Sequence, residues 1–205
     1  MPGRKFANKI LIFPEFTPLR VKYKDVFDLK AFYETLKEWL LENGWSDESD
    51  HLEHWETFYG EKIDQSGAKE LWINWRAFKK PEGASHLNYH LDIDFKVIGM
   101  ANVEIVHDGQ KIKTNKGELE LKINGAIEEV YKNEFEDNSF LKQVKDLFAK
   151  RVYKKEVEQR KKEFYQELYV LQNFIKQWFK LKRYLPYQEV KSFYPSDAFP
   201  SHLKE

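Results

Sequence analysis

The chain has 205 residues, with 34 Lys and Arg balancing 34 Asp and Glu, no Cys, and 16% aromatic residues. Such a length suits one domain with an extension, and the aromatic content supplies enough apolar area to offset chain entropy, which excludes a disordered polymer. The lack of Cys excludes disulfides, thiolate nucleophiles, zinc fingers and iron–sulfur ligation together. No apolar run approaches the roughly 18 residues of a membrane span, and Ile10 to Phe13 is too short for a signal-peptide core, so the expectation is a cytoplasmic chain without a transmembrane segment.

From the start of the chain, two short extended pieces, Phe6 to Phe13 and Leu19 to Lys24, are separated by Pro14 and Pro18. Asp28 has the character of an N-cap. Leu29, Phe32, Tyr33, Leu36, Trp39 and Leu40 follow at helical spacing, and Asn43-Gly44 supplies the stop. Six strand candidates come next. His51 to Ile63 and Lys69 to Lys79 flank a hairpin loop at Asp64-Gln65-Ser66-Gly67. In the third, Leu87, Tyr89, Leu91, Ile93, Phe95 and Val97 alternate with Asn88, His90, Asp92, Asp94 and Lys96, predicting one core face and one wet face. Val103 to His107 and Lys111 to Thr114 flank Asp108-Gly109, a type I′ hairpin signal. Glu118 to Tyr131 closes the series, with Asn124-Gly125 read as a bulge.

Short turns between consecutive strands require antiparallel pairing, since parallel neighbours need long crossovers. The fold class is therefore α+β: an antiparallel meander of about six strands with one short N-terminal helix and a long C-terminal helix. That element order resembles the helix-grip arrangement of START-like ligand binders, which implies a long last helix across a cupped sheet and an apolar small molecule between them.

No Gly or Pro occurs between Gly125 and Pro186. Within that stretch, residues 138–185 carry thirteen Lys and Arg against five Asp and Glu, about +8 on this run and −8 elsewhere. Asn138-Ser139 can cap a helix whose first part would bury Phe140, Leu141, Val144, Leu147 and Phe148. Lys150 to Glu163 is nearly all polar. Phe164, Leu168, Leu171, Ile175 and Trp178 then recur as a heptad-like seam. A continuous helix to Leu185 would be about 70 Å long, against about 43 Å for a compact body of this size. The chain accordingly divides into a sheet domain at 1–150, a projecting or folded-back basic helix at 151–185, and an extended aromatic and Pro-containing tail at 186–205.

Projection would leave the seam, with Phe179 and Tyr184, and the tail residues Phe193, Tyr194 and Phe199, to bind a partner. His90, Asp92 and Asp94 align on one strand face, where metal binding or acid/base work would be conceivable, although a solvated face is far commoner. The cluster Asp50, His51, Glu53 and His54 is weaker still, because a strand there would split its two histidines between faces. Of Trp72 and Trp75, one should lie in the core and the other outside it. Phosphate-cradling, nucleophile-elbow and metalloprotease motifs are absent, so neither cofactor nor metal is expected and an enzyme ranks last.

These features favour a non-enzymatic interaction or self-assembly module, a homo-oligomer or the binder of an acidic protein partner. A helix-grip-like carrier of an apolar molecule is the alternative. Nucleic-acid or membrane-surface binding through the basic helix is disfavoured by overall neutrality and the acidic body.

Overall fold

The computed structural model describes residues 9–14, 16–47, 55–84, 86–107, 110–130 and 154–181. Among these residues six strands and two helices form an α+β fold: β1 (Lys9–Leu11), β2 (Leu19–Phe27), α1 (Leu29–Glu42), β3 (Glu56–Ile63), β4 (Lys69–Lys79), β5 (Leu87–His107), β6 (Gln110–Glu129) and α2 (Lys154–Trp178). All six strands belong to one antiparallel sheet in which β3, β4, β5 and β6 run as a meander. Both N-terminal strands pair with the outer edge of β6, β1 against Ala126 to Glu128 and β2 against Asn115 to Ile123.

The strand count matches expectation by a different partition. The third and fourth candidates fuse into the 21-residue β5, and the fifth and sixth into the 20-residue β6. The expected bulge at Asn124-Gly125 is also displaced. Leu91 pairs with Gly125 in unbroken register, whereas the register shifts between Ile98 and Ala101, where Gly99 takes a left-handed φ of 61°. A Cβ on the facing Gly117 would lie 3.1 Å from the Met100 Cα, so backbone is packed against backbone there.

Helix α1 begins and ends where its sequence indicates. The Asp28 carboxylate accepts from the Ala31 N–H at 3.0 Å, and after the Asn43 cap Gly44 turns left-handed while the Trp45 N–H returns to the Leu40 carbonyl at 3.0 Å. Phe32, Leu36 and Leu40 face inward, onto the sheet face formed by Leu71, Ile73, Trp75, Leu91, Ile93, Phe95, Leu121 and Ile123.

Helix α2 shares that face. Phe164, Leu168, Leu171, Ile175 and Phe179 are buried in the same core, with Phe164 stacked on Tyr89 at 4.5 Å, Trp39 on Phe174 at 5.3 Å, and Phe32 against Phe179 at 4.7 Å. Its 25 residues span about 37 Å, short enough to lie along the sheet. The expectation of a helix running to Leu185 fails within the described residues, because α2 stops without Gly or Pro. Lys180 adopts a left-handed φ of 56°, and the Leu181 N–H closes on the Lys176 carbonyl at 2.7 Å, the bond by which a Schellman stop satisfies a terminal carbonyl. A lysine there costs roughly 1–2 kcal/mol relative to right-handed backbone, a strain offset by burial of Phe179 and packing of Leu181 on the core. The proposed cap at Asn138-Ser139 and the first helical zone to Phe148 lie outside the described residues.

Gly125 sets how closely α2 approaches β6. A Cβ there would fall 2.6 Å from Leu168 Cδ1 and 3.0 Å from the Phe164 ring, and both side chains are fully enclosed. Gly→Ala in a strand normally removes unfolded-chain entropy and stabilises by about 0.4–1 kcal/mol. Here the sign should reverse: Gly125→Ala is expected to cost about 1–3 kcal/mol by overpacking, and Gly125→Val more. Urea unfolding checks this, since an unchanged or raised midpoint for Gly125→Ala would mean that α2 does not press on β6.

Candidate interaction surface

On the sheet face turned away from the helices, Arg76 pairs with Asp94 at 2.7 Å and Asp92 at 3.6 Å, while His90 Nε2 lies 2.8 Å from Glu128 and 2.9 Å from Lys9 Nζ. Arg76 and Asp92 are direct cross-strand partners. The expected wet face is therefore wrong for two of its residues, because His90 is 1% and Asp92 6% exposed. Neighbouring strands supply opposite charges, which makes this burial tolerable. Burial alone would raise the Glu128 carboxyl, but the His90 hydrogen bond and the Lys9 charge outweigh it and hold the group below the usual carboxylate range. Its contribution to stability is thus present above the ordinary glutamate pKa and lost as pH falls below it. Among the described residues no three His, Asp or Glu are grouped to hold a metal ion.

Trp75 is the core member of its pair, under α1 with Tyr33 at 4.6 Å, and Trp72 is half-buried on the opposite face. The anticipated partner-binding seam is spent internally. Phe164, Leu168, Leu171, Ile175 and Phe179 are core residues, and Trp178 packs on Phe32 at 5.0 Å. An amphipathic helix buries its apolar stripe on the nearest apolar surface, and α2 finds that surface on its own sheet. Tyr184, Phe193, Tyr194 and Phe199, and the cluster Asp50, His51, Glu53 and His54, lie outside the described residues.

Two other features face outward, and they adjoin. Among the described residues, neither β5 nor β6 has another strand beside it beyond the pairs Lys69↔Met100 and Phe27↔Asn115. Residues 101–107 and 110–114 thus form a two-stranded arm, both of whose outer edges are unpaired among the described residues, extending about 20 Å at 3.3 Å per residue. After the register shift at Gly99, Val103, Ile105, Ile112 and Thr114 share one face of the arm, while Glu104, Val106, Lys111 and Lys113 share the other. Val106 is 71% exposed and Ile112 44%.

At the root of the arm a groove of about 440 Å³ opens between α1 and strands β3 and β4. Leu71, Ile73 and Met100 form its apolar floor. On its rim the Tyr33 hydroxyl donates to Glu56 at 2.8 Å and accepts from the Trp75 indole N–H at 3.2 Å. Tyr59 donates to Glu61 at 2.7 Å, and Lys69 pairs with Glu61 at 2.8 Å. Lys69 and Tyr59 hold the Glu61 carboxyl below its ordinary range. Met100 and Asn115 belong both to the groove lining and to the arm's root. Tyr59 on the rim and Ile63 farther along β3, the edge strand among the described residues, are 52% and 58% exposed.

Sequence reading missed the arm because it divided β5 and β6 at their glycines. The available signal was a length mismatch: once Leu87 to His107 is one strand, the 11-residue Lys69–Lys79 cannot cover it. Groove residues such as Tyr33 and Tyr59 carry no local motif and meet only through strand register.

Burial, reinforced by donation to Glu56, pushes the Tyr33 phenol up to about 12, and burial pushes that of Tyr89 to about 12. A phenol whose folded pKa lies above its unfolded value of 10.0 contributes stability that is complete below pH 10 and lost as pH rises toward 12. Phenolate absorbance should therefore show a late-titrating component that Tyr33→Phe and Tyr89→Phe each reduce; its complete loss in the folded protein by pH 10.5 (about half a unit above the free phenol) would contradict this packing. Comparison with protein-family models, curated proteins and solved structures finds no match for this chain.

Proposed function

We propose that this chain is a non-enzymatic self-assembly module that associates through its sheet rather than through its C-terminal helix. The observation that carries the reading is the two-stranded arm, which runs past its neighbouring strands and exposes Val106 and Ile112. An isolated hairpin is marginal in water, and exposed strand edges present ready-made pairing groups. Covering the arm and the β3 edge with another copy would satisfy both. Tyr184 and the tail residues Phe193, Tyr194 and Phe199 are candidates for additional contacts in such an assembly.

A second reading is favoured by the groove, whose size falls in the range of small-molecule sites and whose floor is apolar. In it the chain acts as a helix-grip-like carrier, with α1 and α2 lying across the sheet. The aromatic packing of Phe32, Trp75, Phe95 and Phe179 between helices and sheet argues against an enclosed ligand and confines this reading to the open groove. No helix among the described residues is long and apolar enough to cross a membrane.

Light scattering on the full chain over a concentration series at low and high salt tests the first reading. A concentration-dependent rise above monomer mass is expected, weakened but not abolished by salt because apolar contacts carry much of it. A strict monomer at tens of micromolar in both buffers would reject it, and a co-purified small molecule seen by native mass spectrometry would favour the second reading.

A further inference from the structure

We infer that the partner is a second copy of this chain and that the two copies exchange arms, each laying its β5–β6 arm into the other's groove around a two-fold axis. The inference rests on the self-assembly reading above and specifies its surface. Three observations converge on it.

The first is adjacency. The groove is lined by Met100 and Asn115, the residues from which the arm departs, so arm and groove lie at the same end of the molecule. When a projecting element and its receptor adjoin, a two-fold axis near their junction brings both pairs together at once, and the contact closes at two copies.

The second is which face looks where. Asn115 pairs with Phe27, whose ring is buried on the helix-covered side with Tyr23 and Phe179. By alternation along the strand, Lys113 and Lys111 lie on that same side, as does Val106 opposite Lys111. The groove also opens on that side. In a face-to-face pair Val106 is thus the apolar residue presented to the floor of Leu71, Ile73 and Met100, and its high exposure in the single chain is relieved by that contact.

The third is charge. The arm face carries Lys111 and Lys113 around Val106, with Glu104 opposite Lys113. The groove rim carries Glu34, Glu56 and Glu61 against Lys30 and Lys69, and among the described residues Glu34 pairs with the exposed side chain of Lys30 at 3.8 Å. The two lysines of this arm face entering a rim with three carboxylates set register and oppose like-on-like stacking of arms.

Sedimentation velocity on the full chain and on Val106→Asp, Lys111→Glu and Lys111→Glu/Glu34→Lys reads this out, with circular dichroism confirming that each variant keeps the fold. The wild-type chain should form a dimer and nothing larger. Val106→Asp and Lys111→Glu should each raise the dissociation constant at least about tenfold, and the double variant should recover most of the loss from Lys111→Glu. A dimer that both single variants leave unchanged, a double variant weaker than Lys111→Glu, or an open-ended series of larger species would overturn arm exchange while leaving self-assembly standing. A wild-type chain that stays monomeric at all concentrations would remove both readings.

Discussion

Everything in this fold depends on the close seating of α2 on β6. At Gly125 the sheet offers no Cβ, and Phe164 and Leu168 descend into the space that one would have filled. From that point the helix extends a continuous apolar contact, through Phe164 on Tyr89 at one end and Phe179 among Tyr23, Phe27 and Phe32 at the other. The two helices and the sheet share one core, so the apolar seam of α2 is part of the interior. Its Lys180 stop is consistent with this, since a strained left-handed lysine persists where the surrounding packing over-determines the backbone.

Committing the helix inward leaves the sheet to face outward. β5 and β6 are about twice as long as β4 and β2, and antiparallel strands can be covered only as far as their neighbours reach. The remainder becomes an arm that keeps its own ladder and, among the described residues, has no strand on either edge. Its charges follow the usual defence of exposed strand edges, with Lys and Glu interspersed, yet Val106 and Ile112 break that defence at the tip. The opposite sheet face behaves differently: Arg76 pairs with Asp92 and Asp94 and His90 contacts Glu128 across strands, an arrangement that ties β4, β5 and β6 together.

Local features were legible in the sequence wherever local chemistry decides them. Asp28 and Asn43-Gly44 mark the ends of α1 because capping is a matter of a few neighbouring residues, and Asp64 through Gly67 mark their hairpin because an Asx turn and a positive φ are local needs. The apolar seam of α2 was legible too, but its destination was not, since periodicity says that a stripe is buried without saying against what. Gly125 shows the same limit. Read along the chain it suggests a bulge, whereas its cause is a helix that arrives from about 40 residues further on. His90 and Asp92 alternate with apolar residues as a wet face would, and their burial involves Arg76, Lys9 and Glu128 from other strands. The arm and groove required strand register, which sequence alone does not reveal.

Hydrogen exchange of the full chain at several concentrations most directly separates an inward helix from an associating sheet. The amides of α2 should be protected to the same degree at every concentration, while those of the arm and the β3 edge gain protection as concentration rises. The opposite pattern, α2 amides exchanging freely when dilute and protected only on association, would show that the seam belongs to a partner and would contradict the account.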